Sequence, residues 1–263
     1  MSVGEVDESR APLLDHLIEL RRRLLYCMAA IVVAFVACLY FAEPIFAWLV
    51  RPLLEAGQNT IIYTQVFEAF FVEIKVAFFA AMMVSFPVLA NQLWRFVAPG
   101  LYRKEKRALL PFLFATPVLF GLGASMAYFV AIPTALHFLL GFEGNIGGDA
   151  RKMRLEALPA VGDYLSFTMQ FLFGFGLSFL LPVLLMLLER AGVVTRKQLV
   201  AARRYAIVGA FAIAAVLTPP DVGSQLLLAI PLCILYELAL IGIWFTERRR
   251  AKVPAVTDEA AAE

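Results

Sequence analysis

Long apolar runs alternate with short segments dense in arginine and lysine along this chain. Residues 11–23 have helical spacing: Leu13, Leu17 and Leu20 can share one face, while Asp15, Glu19 and Arg22 project elsewhere. This segment feeds a first apolar run at about 24–41. Further runs follow at about 67–89, 108–140, 164–188, 205–217 and 224–245. Each of the long ones exceeds what a soluble core needs and matches a membrane-crossing helix. The stretches between them are marked as loops by Pro44, Pro52 and Gly57, by the polar Gly-rich segment 141–163, and by Thr218-Pro219-Pro220-Asp221. Pro87, Pro111, Pro117, Pro133 and Pro182 interrupt the runs themselves. Residues 1–10 are polar and expected to be disordered, and 246–263 form a tail that starts basic and ends acidic.

Composition supports this pattern. The chain has 263 residues, 62% of them hydrophobic, and a mean hydropathy of +0.80; a soluble domain is about 45–50% apolar. The reading is an all-α integral membrane protein, a single membrane domain over 1–263 with six transmembrane helices. The net charge of +2 says little; its distribution says more. Arg10 and Arg21 to Arg23 precede span one. Arg95, Arg103, Lys104, Lys106 and Arg107 follow span two. Arg190, Arg196, Lys197, Arg203 and Arg204 follow span four, and Arg248, Arg249, Arg250 and Lys252 follow span six. These are eighteen of the 23 basic residues, against Arg51, Arg151, Lys152 and Arg154 in the opposite loops. The positive-inside rule therefore puts both termini in the cytoplasm. The fifth span has 13 residues, about 20 Å of helix against a hydrocarbon core of about 30 Å. A short fifth helix is expected, and the same expectation extends to the sixth. The first apolar run is followed by Glu43-Pro44 and not by a small-residue cleavage pattern, so it reads as a retained helix.

The chemistry on offer is sparse. Cys27, Cys38 and Cys233 all lie in apolar stretches and read as buried small side chains. His16 and His137 are the only histidines and stand apart, so no metal-ligand spacing exists and no cofactor is implied. No basic-aromatic domain argues for nucleic acid. No lysine is followed by Ser or Thr, which excludes a P-loop pump, and no H-E-x-x-H or serine–histidine pairing suggests a protease. The chain does not read as an enzyme. A secondary transporter is the remaining rival, because several spans carry prolines that could break helices around a substrate. No repeat relates the halves, however, and few polar residues lie at mid-span.

Three stretches carry a resemblance: HLIELRRRLL (residues 16–25), FVAPGLYRKEKR (96–107) and LTPPDVGSQLLLAIP (217–231). With Arg51-Pro52-Leu53, Tyr128-Phe129 and Tyr164-Leu165-Ser166-Phe167, they resemble the TatC family, the multispanning core subunit of the twin-arginine protein translocase, over roughly 12–245. The resemblance implies a bacterial inner-membrane receptor, cytoplasmic at both ends. It would bind twin-arginine signal peptides and assemble with single-span TatA/TatB-type subunits, other copies of itself and membrane lipids, with the proton-motive force as energy source. From charge pattern alone, Glu19 and Glu105 read as partners in salt bridges within the protein. The resemblance instead implies that they hold the arginines of the signal peptide. A carboxylate accepts a guanidinium through two parallel hydrogen bonds, which gives direction as well as strength. Arg21 and Arg107 are expected to keep these acids ionised, with Leu20, Phe96 and Pro99 shaping the adjoining apolar groove. Pro52, Lys75, Asp221, Gln225 and Glu237 are implied as partner or assembly residues. On their own terms, Lys75 reads as snorkelling to the outer interface, Asp221 as a cap, and Glu237, deep in span six, as facing protein. Glu73 and Lys75, two residues apart, lie on different helix faces. One departure stands out: in the phrase SFLLPV the family often has an acidic or amide residue where this chain has Leu180.

Overall fold

The computed structural model describes residues 3–58, 60–97, 106–141, 144–146, 153–155, 158–218 and 222–251, with side chains for 16–58, 60–96, 112–141, 158–218 and 222–248. Inside a bilayer the backbone must satisfy its own hydrogen bonds, so the apolar runs become helices. α1 (Val3–Tyr40) and α3 (Glu68–Val97) are single rods. α1 begins at Val3, so residues 3–10 are helical where disorder was expected; extending a formed helix costs far less than starting one. The third rod is α4 (Lys106–Met126), a π-helical segment (Ala127–Ala131) and α5 (Ile132–Leu140). The amide of Ile132 reaches back to the carbonyl of Ala127, and Pro133 follows directly; the proline has no amide for the ladder and its ring widens the turn before it. The fourth rod is α6 (Val161–Ser178) and α7 (Leu181–Arg190), parted at Phe179-Leu180 just before Pro182.

Five stretches among the described residues are long and apolar enough to cross a membrane: His16–Tyr40, Glu68–Phe96, Phe112–Leu140, Val161–Arg190 and Val222–Arg248. α8 (Arg196–Ala201), capped by a reciprocal Thr195–Gln198 box, leads into α9 (Arg203–Leu217), which has only 15 residues. Arg203 and Arg204 join its first turn, yet at about 22 Å it stays short. The expectation of shortness fails for the last helix: α10 (Val222–Ala251) has 30 residues and accommodates Pro231 within its length. Among the described residues the strands are an antiparallel pair in the Gly-rich segment, β1 (Gly144–Ile146) and β2 (Met153–Leu155), with Asn145 opposite Arg154. A pair of three-residue strands leaves the all-α reading in place.

A further correction concerns the stretch after span one, read as loop from its prolines. It forms α2 (Ala42–Glu55), with Leu49, Val50, Pro52 and Leu53 buried. Pro44 falls in the first turn, where no helical amide is needed. Pro52 cannot donate to the carbonyl of Trp48, four residues back, and the Tyr128 hydroxyl donates to that oxygen instead at 2.8 Å. The Tyr128 ring lies flat against Trp48, centroids 3.9 Å apart, and the Tyr164 hydroxyl donates to Leu49 O at 2.9 Å. The main core gathers around this clamp: Val72 and Val76 of α3, Ala131, Ile132 and Ala135, Leu165, Phe171 and Phe175 of α6, Ala214 of α9, and Leu228 and Leu232 of α10. α4 and α6 approach closely because Gly123 faces the carbonyl of Phe175, where a Cβ would come within 2.5 Å, and Gly176 faces the Phe120 ring. By contrast, α1 packs mainly on α3 and exposes Leu24, Leu25, Val32, Val33 and Val36, which suits lipid and not water.

At the end of the molecule that carries α2, one carboxylate ties two loops together. Glu68 accepts from the amides of Thr64 (2.6 Å), Gln65 (3.1 Å) and Gly162 (2.8 Å), and from the Thr64 hydroxyl. Beside it Ile62 pairs with Ala160 in a parallel bridge, with Val161 N donating to Ile62 O at 3.0 Å.

Candidate functional site

A cleft of about 390 Å³ opens between the charged ends of α1 and α3, lined by Glu19, Arg22, Arg23, Tyr26, Gln92 and Arg95. Helical spacing builds its α1 wall, because Glu19, Arg23 and Tyr26 recur at steps of four and three and stack on one face. One turn earlier on that face, His16 stacks on Phe96 of α3, centroids 4.4 Å apart and planes 19° off parallel. Further along, the Ser85 hydroxyl donates to Ala30 O at 3.2 Å and fixes the register of the two helices. The α3 wall is held from behind: Trp94 Nε1 donates to Thr116 Oγ1 at 2.8 Å, and that hydroxyl donates to Phe112 O at 2.7 Å, tying α3 to α4.

The cleft holds one carboxylate among three guanidiniums. Glu19 is two-thirds buried and accepts from Arg23 through Nε at 3.0 Å and through Nη2. Arg22 donates weakly to the Tyr26 hydroxyl at 3.4 Å. The partner of Glu19 is thus Arg23, not Arg21. Leu20 and Arg21 are exposed and absent from the cleft lining, since residues one and two places beyond Glu19 turn away from its face. Phe96 does reach the α1–α3 seam. Glu105 and Pro99 lie outside the described residues, and the Arg107 side chain is likewise outside them.

The other singled-out residues fall elsewhere. Lys75 Nζ donates to Ser166 Oγ at 2.7 Å and so joins α3 to α6; no Glu73–Lys75 pair forms among the described residues. Pro52 sits in the Trp48–Tyr128 clamp. Glu237 accepts from Arg203 at 2.8 Å, so it meets α9 while remaining about half exposed, less enclosed than expected. Next to it the Tyr236 hydroxyl donates to Leu199 O at 2.8 Å, and Arg196 approaches Glu247 at 3.7 Å, which binds α8 along α10. Gln225 Nε2 donates to Phe211 O at 3.3 Å across the other end of α9 and α10. Asp221 lies outside the described residues. Leu180, half-buried, occupies the turn between α6 and α7. Among the described residues no group of histidine, cysteine and carboxylate side chains could hold a metal.

A family model described as "Sec-independent protein translocase protein (TatC)" matches residues 15–231. The chain belongs to the TatC family. It is 46% identical over 253 residues to the Sec-independent protein translocase protein TatC of Magnetococcus marinus, covering 95% of this chain and 90% of the relative. It is 40% identical over 241 residues to that of Escherichia coli K12, covering 91% and 89%. The fold is similar to a crystal structure of the twin arginine translocase receptor TatC, with a TM-score of 0.75 and 38% identity over 88% of this chain and 98% of that one. Membership makes this TatC-family chain a multi-pass membrane component of protein transport. The matched stretch takes in both walls of the cleft, and Glu237 falls beyond it.

Within this TatC-family chain, sequence reasoning found Glu19 and Phe96 but not Arg23, Arg95, Gln92 or Tyr26. Arg23 carried a usable signal, a glutamate four residues ahead of an arginine on one helix. Gln92 and Arg95 carried none, because their place in the cleft depends on how α3 is rotated against α1.

Proposed function

We propose that this chain is the signal-peptide receptor of a twin-arginine translocase in the bacterial inner membrane, crossing it six times with both termini in the cytoplasm. The observation that carries this reading is Glu19: a partly buried carboxylate in an α1–α3 cleft, held among the described residues by an arginine one turn along its own helix. An incoming guanidinium can replace Arg23 on the same oxygens, so binding is an exchange of like partners with little desolvation cost. Glu105 supplies the second carboxylate for the second arginine. Phe96 and Pro99 offer apolar contact to the leader. The cleft lies on the side where eighteen of the 23 basic residues fall, the cytoplasmic side by the positive-inside rule. A tandem-arginine peptide carrying a photoreactive group should crosslink to the wild-type chain and much less to Glu19→Lys or Glu105→Lys at equal membrane levels. Undiminished crosslinking in both variants rules out the assignment.

Single-span TatA/TatB-type subunits and further copies of the chain complete the translocase, driven by the proton-motive force. Their docking face is α9 with α10, where Asp221, Gln225 and Glu237 act in assembly, while Pro52 in α2 and Lys75 in α3 act in assembly through their own helices. The short α9 leaves Val208 and Val216 well exposed, the latter at 83%. Val216→Cys should form a disulfide with a cysteine in the spanning helix of a single-span subunit; crosslinks confined to α1 would place the partner elsewhere.

A further inference from the structure

We propose that the α1–α3 cleft also binds the phosphate of an anionic phospholipid, and that this lipid draws Arg23 away from Glu19. Among the described residues the cleft has an excess of positive charge: Arg22, Arg23 and Arg95 against Glu19. Arg23 is committed to that carboxylate, Arg22 has only the neutral Tyr26 hydroxyl, and Arg95 makes no ion pair among the described residues. Three guanidiniums converging on about 390 Å³ offer more donors than one carboxylate can accept. A phosphodiester has the charge and the paired oxygens that fit them.

The position selects a lipid as the source. The cleft lies at the charged end of two membrane-spanning helices, where headgroups sit, and basic pockets between such helices hold acidic headgroups. Immediately along α1, Leu24, Leu25 and Met28 are more than half exposed and give acyl chains an apolar surface to follow. A zwitterionic headgroup brings its own cation and gains less from the arginines.

A phosphate in this cleft competes with Glu19 for Arg23. The freed carboxylate and the phosphate then present negative charge together, which favours an arriving guanidinium. This second half rests on the receptor reading of Glu19. By linkage, lipid and leader peptide each strengthen the binding of the other.

The test uses the full chain. By native mass spectrometry, the wild type should retain phosphatidylglycerol in preference to phosphatidylcholine. The R22Q/R95Q variant, which leaves the Glu19–Arg23 pair in place, should lose retention by about fivefold per arginine. Arg51→Gln, at a distant exposed pair with Glu55, should change nothing. R22K/R95K keeps the charge and loses the paired donors, and should fall between. Equal retention of the two lipids by the wild type, or unchanged retention in R22Q/R95Q, overturns the site. So does displacement of the lipid by an equal concentration of inorganic phosphate, which would make it a site for the free anion. In nanodiscs, the tandem-arginine peptide should bind the wild type more tightly in phosphatidylglycerol than in phosphatidylcholine, after subtraction of protein-free discs. R22Q/R95Q should abolish that gain; a gain that survives in the variant overturns the coupling to Glu19. A peptide that binds in neither lipid sinks the receptor reading and the coupling with it, while the lipid site is judged on retention alone.

Discussion

The pairing of Glu19 with Arg23 sets the energetics of recognition at the level of single side chains. An ion pair at this spacing on a partly exposed helix face contributes about 0.3–0.5 kcal/mol, so it restrains the carboxylate without locking it. Arg23→Gln should therefore raise the affinity for a tandem-arginine peptide by about twofold in phosphatidylcholine discs, read by fluorescence anisotropy. A loss of affinity would mean that Arg23 positions Glu19 and does not compete with the ligand. Half of this arrangement was legible in the chain itself. Glu19 and Arg23 share a face by helical geometry alone, and an acid among basic residues at the start of a span draws attention. Arg95 and Gln92, some seventy residues away, enter only through the rotation that the His16–Phe96 stack and the Ser85–Ala30 hydrogen bond impose. No local pattern encodes that rotation.

At the scale of elements, apolar length was a dependable guide and proline was not. Five long apolar helices lie over the long hydrophobic runs, because a lipid environment leaves a helix as the only economical backbone. α2 was misread because Pro44 and Pro52 look like breakers when taken locally. The missing donor at Pro52 is supplied from 76 positions away by Tyr128, which the π-helical turn carries into the core at 5% exposure. Tyr128→Phe keeps the ring stack and leaves Trp48 O without that donor, a cost of about 1–3 kcal/mol. The expected result is a lower midpoint of thermal unfolding in detergent, with Phe129→Leu, on an exposed neighbour, nearly unchanged. An unaltered midpoint for Tyr128→Phe would show that water serves that carbonyl equally well.

For the molecule as a whole, charge asymmetry predicts an orientation that can be read directly. With Cys27, Cys38 and Cys233 replaced, a cysteine at Tyr63, in the loop before α3, should react with a membrane-impermeant maleimide in intact cells. One at Val193, between α7 and α8, should react only after lysis; both positions are exposed. The opposite pattern would invert the topology and remove the cleft from the compartment where leaders are made. The Glu68 tie has a separate consequence. Because one carboxylate staples the loop before α3 to the start of α6, loss of that single side chain frees two segments that lie 94 positions apart in the chain.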